Sequence, residues 1–112
     1  MFNSFTTKLR GVTYRGTQKN IKKFGCADIG SYALVREPEN PHDPNAISVR
    51  LGAIHMGYLP KSISQKLAPL MDNSRRFLAE FVSLNEFPPH KTIGLTVRVV
   101  ETTDCSGVKE DS

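Results

Sequence analysis

Thr92-Ile93-Gly94-Leu95-Thr96-Val97-Arg98-Val99-Val100-Glu101 is the stretch that decides the fold. Ile93, Leu95, Val97 and Val99 alternate with Thr92, Gly94, Thr96 and Arg98. A period of two puts the four apolar side chains on one face, the pattern of a half-buried strand. Working back from it, residues 77–84 read as a second strand. Residues 46–51 alternate again and turn through Gly52-Ala53 into residues 54–59, a hairpin. Residues 31–36 (Ser-Tyr-Ala-Leu-Val-Arg) make another strand. In residues 5–12, Phe5, Thr7 and Leu9 face one way and Thr6, Lys8 and Arg10 the other.

Two stretches break this period. Residues 17–24 predict a short basic helix, with Ile21 and Phe24 on one face and Gly25 as its stop. In residues 61–71, Ile63, Leu67, Leu70 and Met71 fall at helical spacing, and Ser62 with Gln65 has the form of a capping box. Pro69 lacks a backbone donor, so the last turn is expected to distort or end early. The sum is a mainly β protein with about six strands and one or two short helices. Strands at such spacing predict a small antiparallel barrel, partly open in the manner of the oligonucleotide-binding fold.

A chain of 112 residues, 38% apolar and 23% charged, suits one small domain, expected over residues 1–101, with a polar, frayed tail over 102–112. Its 2 cysteines, Cys26 and Cys105, have no partner pattern and read as a core residue and a tail thiol. No secretory leader and no apolar run approaching ~18 residues is visible, so a cytoplasmic or nucleoid-associated protein away from membranes is expected.

The net charge of +4 is unevenly spread. Residues 1–27 carry Lys8, Arg10, Arg15, Lys19, Lys22 and Lys23 and no acid. The rest of the chain, with nine bases against eleven acids, is slightly negative. A basic stretch on a balanced domain is an electrostatic footprint for a polyanion, or else one solvated helix face.

Arg36-Glu37-Pro38-Glu39-Asn40-Pro41-His42-Asp43-Pro44-Asn45-Ala46-Ile47 places proline at every third position. Each proline fixes its own φ and pushes Glu37, Asn40 and Asp43 towards extended geometry. A polyproline-like run of three residues per turn would set Asn40 and Asp43 on one edge and Glu39 and His42 on another. Such a loop is stiff before a ligand arrives, which lowers the ordering cost of binding. Asn and Asp capping the loop's own turns is the alternative.

This loop, followed by Met56-Gly57-Tyr58-Leu59-Pro60-Lys61, resembles the HIRAN domain family. The likeness extends back to Gly11-Val12-Thr13-Tyr14 and on through Leu67-Ala68-Pro69-Leu70-Met71-Asp72, roughly residues 5–100. The resemblance implies an oligonucleotide-binding-like barrel that captures the free 3′ end of single-stranded DNA, without cofactors, in repair- or replication-related processing. It further implies a helicase or nuclease encoded elsewhere as a partner. Carried over by position, Tyr14 is a stacking aromatic, and Asn40, His42 and Asp43 line an end pocket. Asp43 accepts a hydrogen bond from the terminal sugar hydroxyl, and Tyr58 and Lys61 touch base and phosphate. The chain departs from the DNA-capturing members at His42, where they have tyrosine, and at Tyr58, where they have histidine. It also has Thr13 where they have arginine, with Arg15 on the other side of Tyr14 as a substitute. The loop around Phe87 aligns too loosely for carry-over.

The residue chemistry suits this reading on its own terms. Single-strand binders combine a basic groove with aromatic faces. Tyr14, Tyr58 and His42 supply faces, and Arg15, Lys61 and the cluster Lys19, Lys22, Lys23 supply charge. A carboxylate such as Asp43 repels phosphate but can accept the proton of a terminal hydroxyl, so one acid would select an end. Stacking does not discriminate the sugar, so RNA stays open beside DNA. Two other classes compete. An enzyme would draw on His42, Asp43, His55 and His90, yet no HxH, HExxH, CxxC or phosphate-loop spacing occurs. A protein-interaction or adaptor module would use the rigid proline loop to hold a peptide.

Overall fold

The computed structural model describes residues 4–12, 16–26, 28–86 and 92–102. Thr13, Tyr14, Arg15, Phe87, His90, Cys105 and the stretch beyond Thr102 fall outside the described residues. The elements run β1 (Phe5–Lys8), α1 (Thr17–Phe24), β2 (Ser31–Arg36), β3 (Ile47–Leu51), β4 (Ile54–Tyr58), α2 (Lys61–Asp72), β5 (Arg76–Glu86) and β6 (Ile93–Thr102). The strands form one six-stranded sheet in the order β1-β6-β5-β2-β3-β4, and every pairing is antiparallel. The sheet curls into the half-barrel that the strand spacing predicts.

The period-two pattern is realised in β6, where Ile93, Leu95, Val97 and Val99 are all buried. Burying aliphatic side chains of this size stabilises a fold by about 1.5–3 kcal/mol each. They pack with Tyr32 and Leu34 of β2, Ile47 and Val49 of β3, Met56 of β4, Ile21 of α1 and Leu67 and Ala68 of α2.

The curl brings the far edges together just beyond β1. Arg10 and Tyr58 exchange backbone hydrogen bonds, Arg10 N–H to Tyr58 C=O at 2.7 Å and Tyr58 N–H to Arg10 C=O at 2.8 Å. Gly57 permits this closure. Its φ of 142° is unfavourable for an L side chain, and a Cβ there would stand 3.1 Å from the Arg10 carbonyl oxygen and 3.2 Å from Leu9. A register shift between Val49 and Arg50, opposite β4, bends the strand pair at the same place.

Three local expectations are corrected. The capping box is absent, because the N-cap is Pro60, two residues before Ser62, and no side chain caps the helix. Pro69 does not end α2, which continues to Asp72. The turns after Pro69 are closed by the Asn73 amide on the carbonyls of Pro69 and Leu70 and by Arg75 N–H on Leu70, so one missing donor is tolerated. Cys26 is exposed rather than in the core, because Gly25 turns the chain off α1 tightly against Ile21 and Leu84, leaving the next side chain outside.

Helix α1 is fastened at both ends. Gln18 donates to the carbonyls of Val12 (2.8 Å) and Ile93 (2.9 Å) and accepts from Ile93 N–H (2.7 Å). Asn20 donates to the His55 carbonyl at 2.8 Å, and the Tyr32 hydroxyl donates to the Phe24 carbonyl at 2.8 Å.

Candidate nucleic-acid interface

The proline loop between β2 and β3 is a chain of turns rather than a continuous polyproline helix. Asn40 N–H donates to the Glu37 carbonyl and Ala46 N–H to the Asp43 carbonyl, both at 3.0 Å. The Asn40 Oδ1 accepts from the backbone of His42 (2.8 Å) and Asp43 (3.2 Å), and Asp43 Oδ1 accepts from Asn45 N–H (2.9 Å). A polyproline helix leaves its backbone to water, whereas the short Asn and Asp side chains give the remaining N–H groups an internal acceptor. These internal hydrogen bonds, rather than a polyproline run, are what constrain the loop. Among the described residues nothing bonds the second Asp43 carboxylate oxygen.

Both ends of the loop are tied to the barrel. Arg36 donates to both carboxylate oxygens of Asp72 at the end of α2, at 3.0 and 3.2 Å, and to the carbonyls of Pro44 and Ala46. Glu37 collects three partners: the Tyr58 hydroxyl and the Asn40 amide at 3.0 Å each on Oε1, and the Arg50 guanidinium at 3.2 Å on Oε2. Burial alone would raise the Glu37 pKa, but hydrogen bonds from Asn40, Tyr58, Arg50 and Ser48 outweigh it and hold the carboxyl below its ordinary value. The His55 ring meets Tyr58 edge-on, centroids 4.8 Å apart. Among the described residues its two buried ring nitrogens find no hydrogen-bond partner. Burial first, then repulsion from Arg50, lowers its pKa, against a smaller pull from Glu37. Gly11 lies on the Tyr58 ring, where a Cβ would come within 3.2 Å of Cδ2.

These tethers wall an open groove of about 1150 Å³ between the proline loop, the end of β4 and the start of α2. Of the residues expected to bind, Asn40, His42, Asp43, Tyr58 and Lys61 all line it. Lys19, Lys22 and Lys23 do not; they are exposed on α1. Tyr14 and Arg15 are outside the described residues. The groove also contains Arg10, Glu37 and Arg50, which the sequence reading left out of the site. Period two puts Ser48 and Arg50 on one face of β3, which is a signal for Arg50. That Glu37 turns back to meet it depends on the folded loop and leaves no trace in spacing. Arg10 and Lys61 are exposed and enter no ion pair among the described residues, so they are the groove's available cations. Glu39 and Asp43 place negative charge on the loop side. Among the described residues no group of three His, Cys, Asp or Glu converges as a metal site.

Comparison with known proteins identifies the arrangement. The HIRAN domain family model matches residues 2–101. The chain belongs to the HIRAN domain family. HIRAN domains are DNA-binding modules, and this one shares its fold with the HIRAN domain of human HLTF, at TM-score 0.63 and 24% identity over 88% of this chain and 74% of that one. A Lactobacillus plantarum protein of solved structure superposes at TM-score 0.67, with 23% identity over 89% of this chain and 100% of its own. In sequence, 45 residues are 56% identical to a Fanconi-associated nuclease 1 homolog of Arabidopsis thaliana, covering 39% of this chain and 5% of that protein. Another 42-residue match, 50% identical, is to helicase-like transcription factor of Oryctolagus cuniculus, over 37% of this chain and 4% of that protein. The chain thus spans a small fraction of the curated relatives it matches.

Proposed function

We propose that this HIRAN domain is a non-enzymatic module that binds single-stranded DNA at a free 3′ end, in repair- or replication-related processing beside a helicase or nuclease. The observation that carries this reading is the convergence of Asp43, His42, Tyr58 and Lys61 on one groove. Asp43 spends one oxygen on the loop and offers the other to a terminal hydroxyl. Arg10 and Lys61 attract the last phosphates, while Asp43 and Glu39 disfavour a phosphate at the end itself. His42, exposed on the rim, and Tyr58, fixed by Glu37, provide ring surfaces for a base. The relatives' names, a nuclease and a helicase-like factor, support a place beside such enzymes. Asn40 is a positioning residue here, since its side chain builds the loop.

Fluorescence anisotropy with oligonucleotides ending in a free or a phosphorylated 3′ terminus tests the reading. The free end should bind at least several-fold more tightly, with affinity falling steeply as salt rises. Equal affinity for both ends, unchanged in Asp43→Ala, would remove end recognition while leaving DNA binding. No binding at low salt would remove both and favour the adaptor reading. Matched DNA and RNA strands in the same assay decide the sugar.

A further inference from the structure

Helix α1 carries its own cationic surface, apart from the groove. Lys19, Lys22 and Lys23 are spaced by three and four positions and so share one face, and all three are exposed. None of them enters an ion pair among the described residues, and no acid stands in the first turn. Lys22 and Lys23, in the last turn, suit the helix dipole. Lys19 does not: three residues after the N-cap Gly16, it sits where a cation is disfavoured, and no acid in the first turn of the helix offsets it. A charge kept at a local cost calls for a partner. Gln18, Asn20 and Tyr32 hold the helix to β6, β4 and β2, so its lysines are presented on a fixed frame.

The position relative to the groove narrows the partner. Asn20 bonds the backbone of His55, on the same strand as the groove residue Tyr58. Gly11 lines the groove and Thr17 begins α1, so the six intervening steps of chain limit their separation to about 20 Å. A stacked strand, advancing ~3.4 Å per phosphate, crosses such a span in at most about six nucleotides.

We propose that the Lys19, Lys22, Lys23 face of α1 is a second phosphate-binding surface, which takes the backbone of the DNA strand within about six nucleotides 5′ of the end held in the groove. This rests on the groove reading above. It predicts that affinity depends on length in two steps, and that α1 contributes only to the second. Anisotropy with 5′-labelled oligothymidylates of 4 and 16 nucleotides, on the full chain and on the triple variant Lys19→Gln, Lys22→Gln, Lys23→Gln, measures both. The variant should bind the 16-mer roughly tenfold or more weakly, with a log–log salt slope shallower by about 2, and bind the 4-mer as before. Its preference for a free 3′ end on the 16-mer should persist. Circular dichroism melting confirms that the variant is folded. An unchanged 16-mer affinity and salt slope in a folded variant would overturn the second surface. An equal loss on the 4-mer would overturn it too, placing the lysines at the groove. If wild-type protein shows no end preference on either length, the groove reading fails separately.

Discussion

Glu37 is the residue on which the groove turns. It joins three segments: Asn40 within the loop, Arg50 on β3 and Tyr58 on β4. Breaking such a half-buried network leaves its donors short of an acceptor, which costs more than the net value of each bond. Because its folded pKa is depressed, ionised Glu37 contributes stability that is fully present above its ordinary value of 4.5 and is lost as pH falls through the lower folded value. Asp72 and Glu101, held low by hydrogen bonds from Arg36 and Arg75, act in the same direction. Glu37→Gln should therefore lower the urea midpoint at neutral pH and make its fall on acidification shallower than in wild type. An identical acid slope in the two proteins would show that the carboxylate contributes nothing through its charge.

At the scale of elements, the loop works because two others grip it. Arg36, the last residue of β2, reaches Asp72 at the end of α2 and two carbonyls at the far side of the loop. Arg36→Ala should loosen the loop more than the barrel. The ordering cost then returns at binding, weakening capture of a 3′ end by roughly three- to tenfold with a smaller change in the urea midpoint. Unchanged affinity on anisotropy would show that the internal turns alone set the loop. The elements themselves were readable. β6, β2 and α1 follow from period, because each answers to one buried face, and the β3–β4 hairpin follows from its turn residues. The loop's interior was not, because prolines dictate φ but leave open which side chain caps which amide. For the same reason Asn40 and Asp43 could be named but not divided between building and binding. Pro69 misled because a propensity rule yields where following turns close on other carbonyls.

The whole molecule is a sheet curled until Arg10 meets Tyr58, with Gly57 making the contact possible. That closure sets an N-terminal cation beside the loop and β4, and so assembles a groove from segments far apart in sequence. On the proposed reading, the overall positive charge resolves into two regions with different work. Arg10 and Lys61 serve the groove, and the α1 lysines form a separate face. On the proposed reading, selection rests on Asp43, beside the cations Arg10 and Lys61 in the groove, and a terminal hydroxyl meeting its second oxygen is the central claim. The most direct test compares a 3′-hydroxyl oligonucleotide with its 3′-deoxy counterpart, on wild type and on Asp43→Asn, which keeps the bond to Asn45 N–H. Wild type should prefer the hydroxyl by about tenfold, the worth of one hydrogen bond to a charged acceptor. Asp43→Asn should lose most of that preference and admit a 3′-phosphate. Equal binding of the hydroxyl and deoxy ends by wild type would contradict the account.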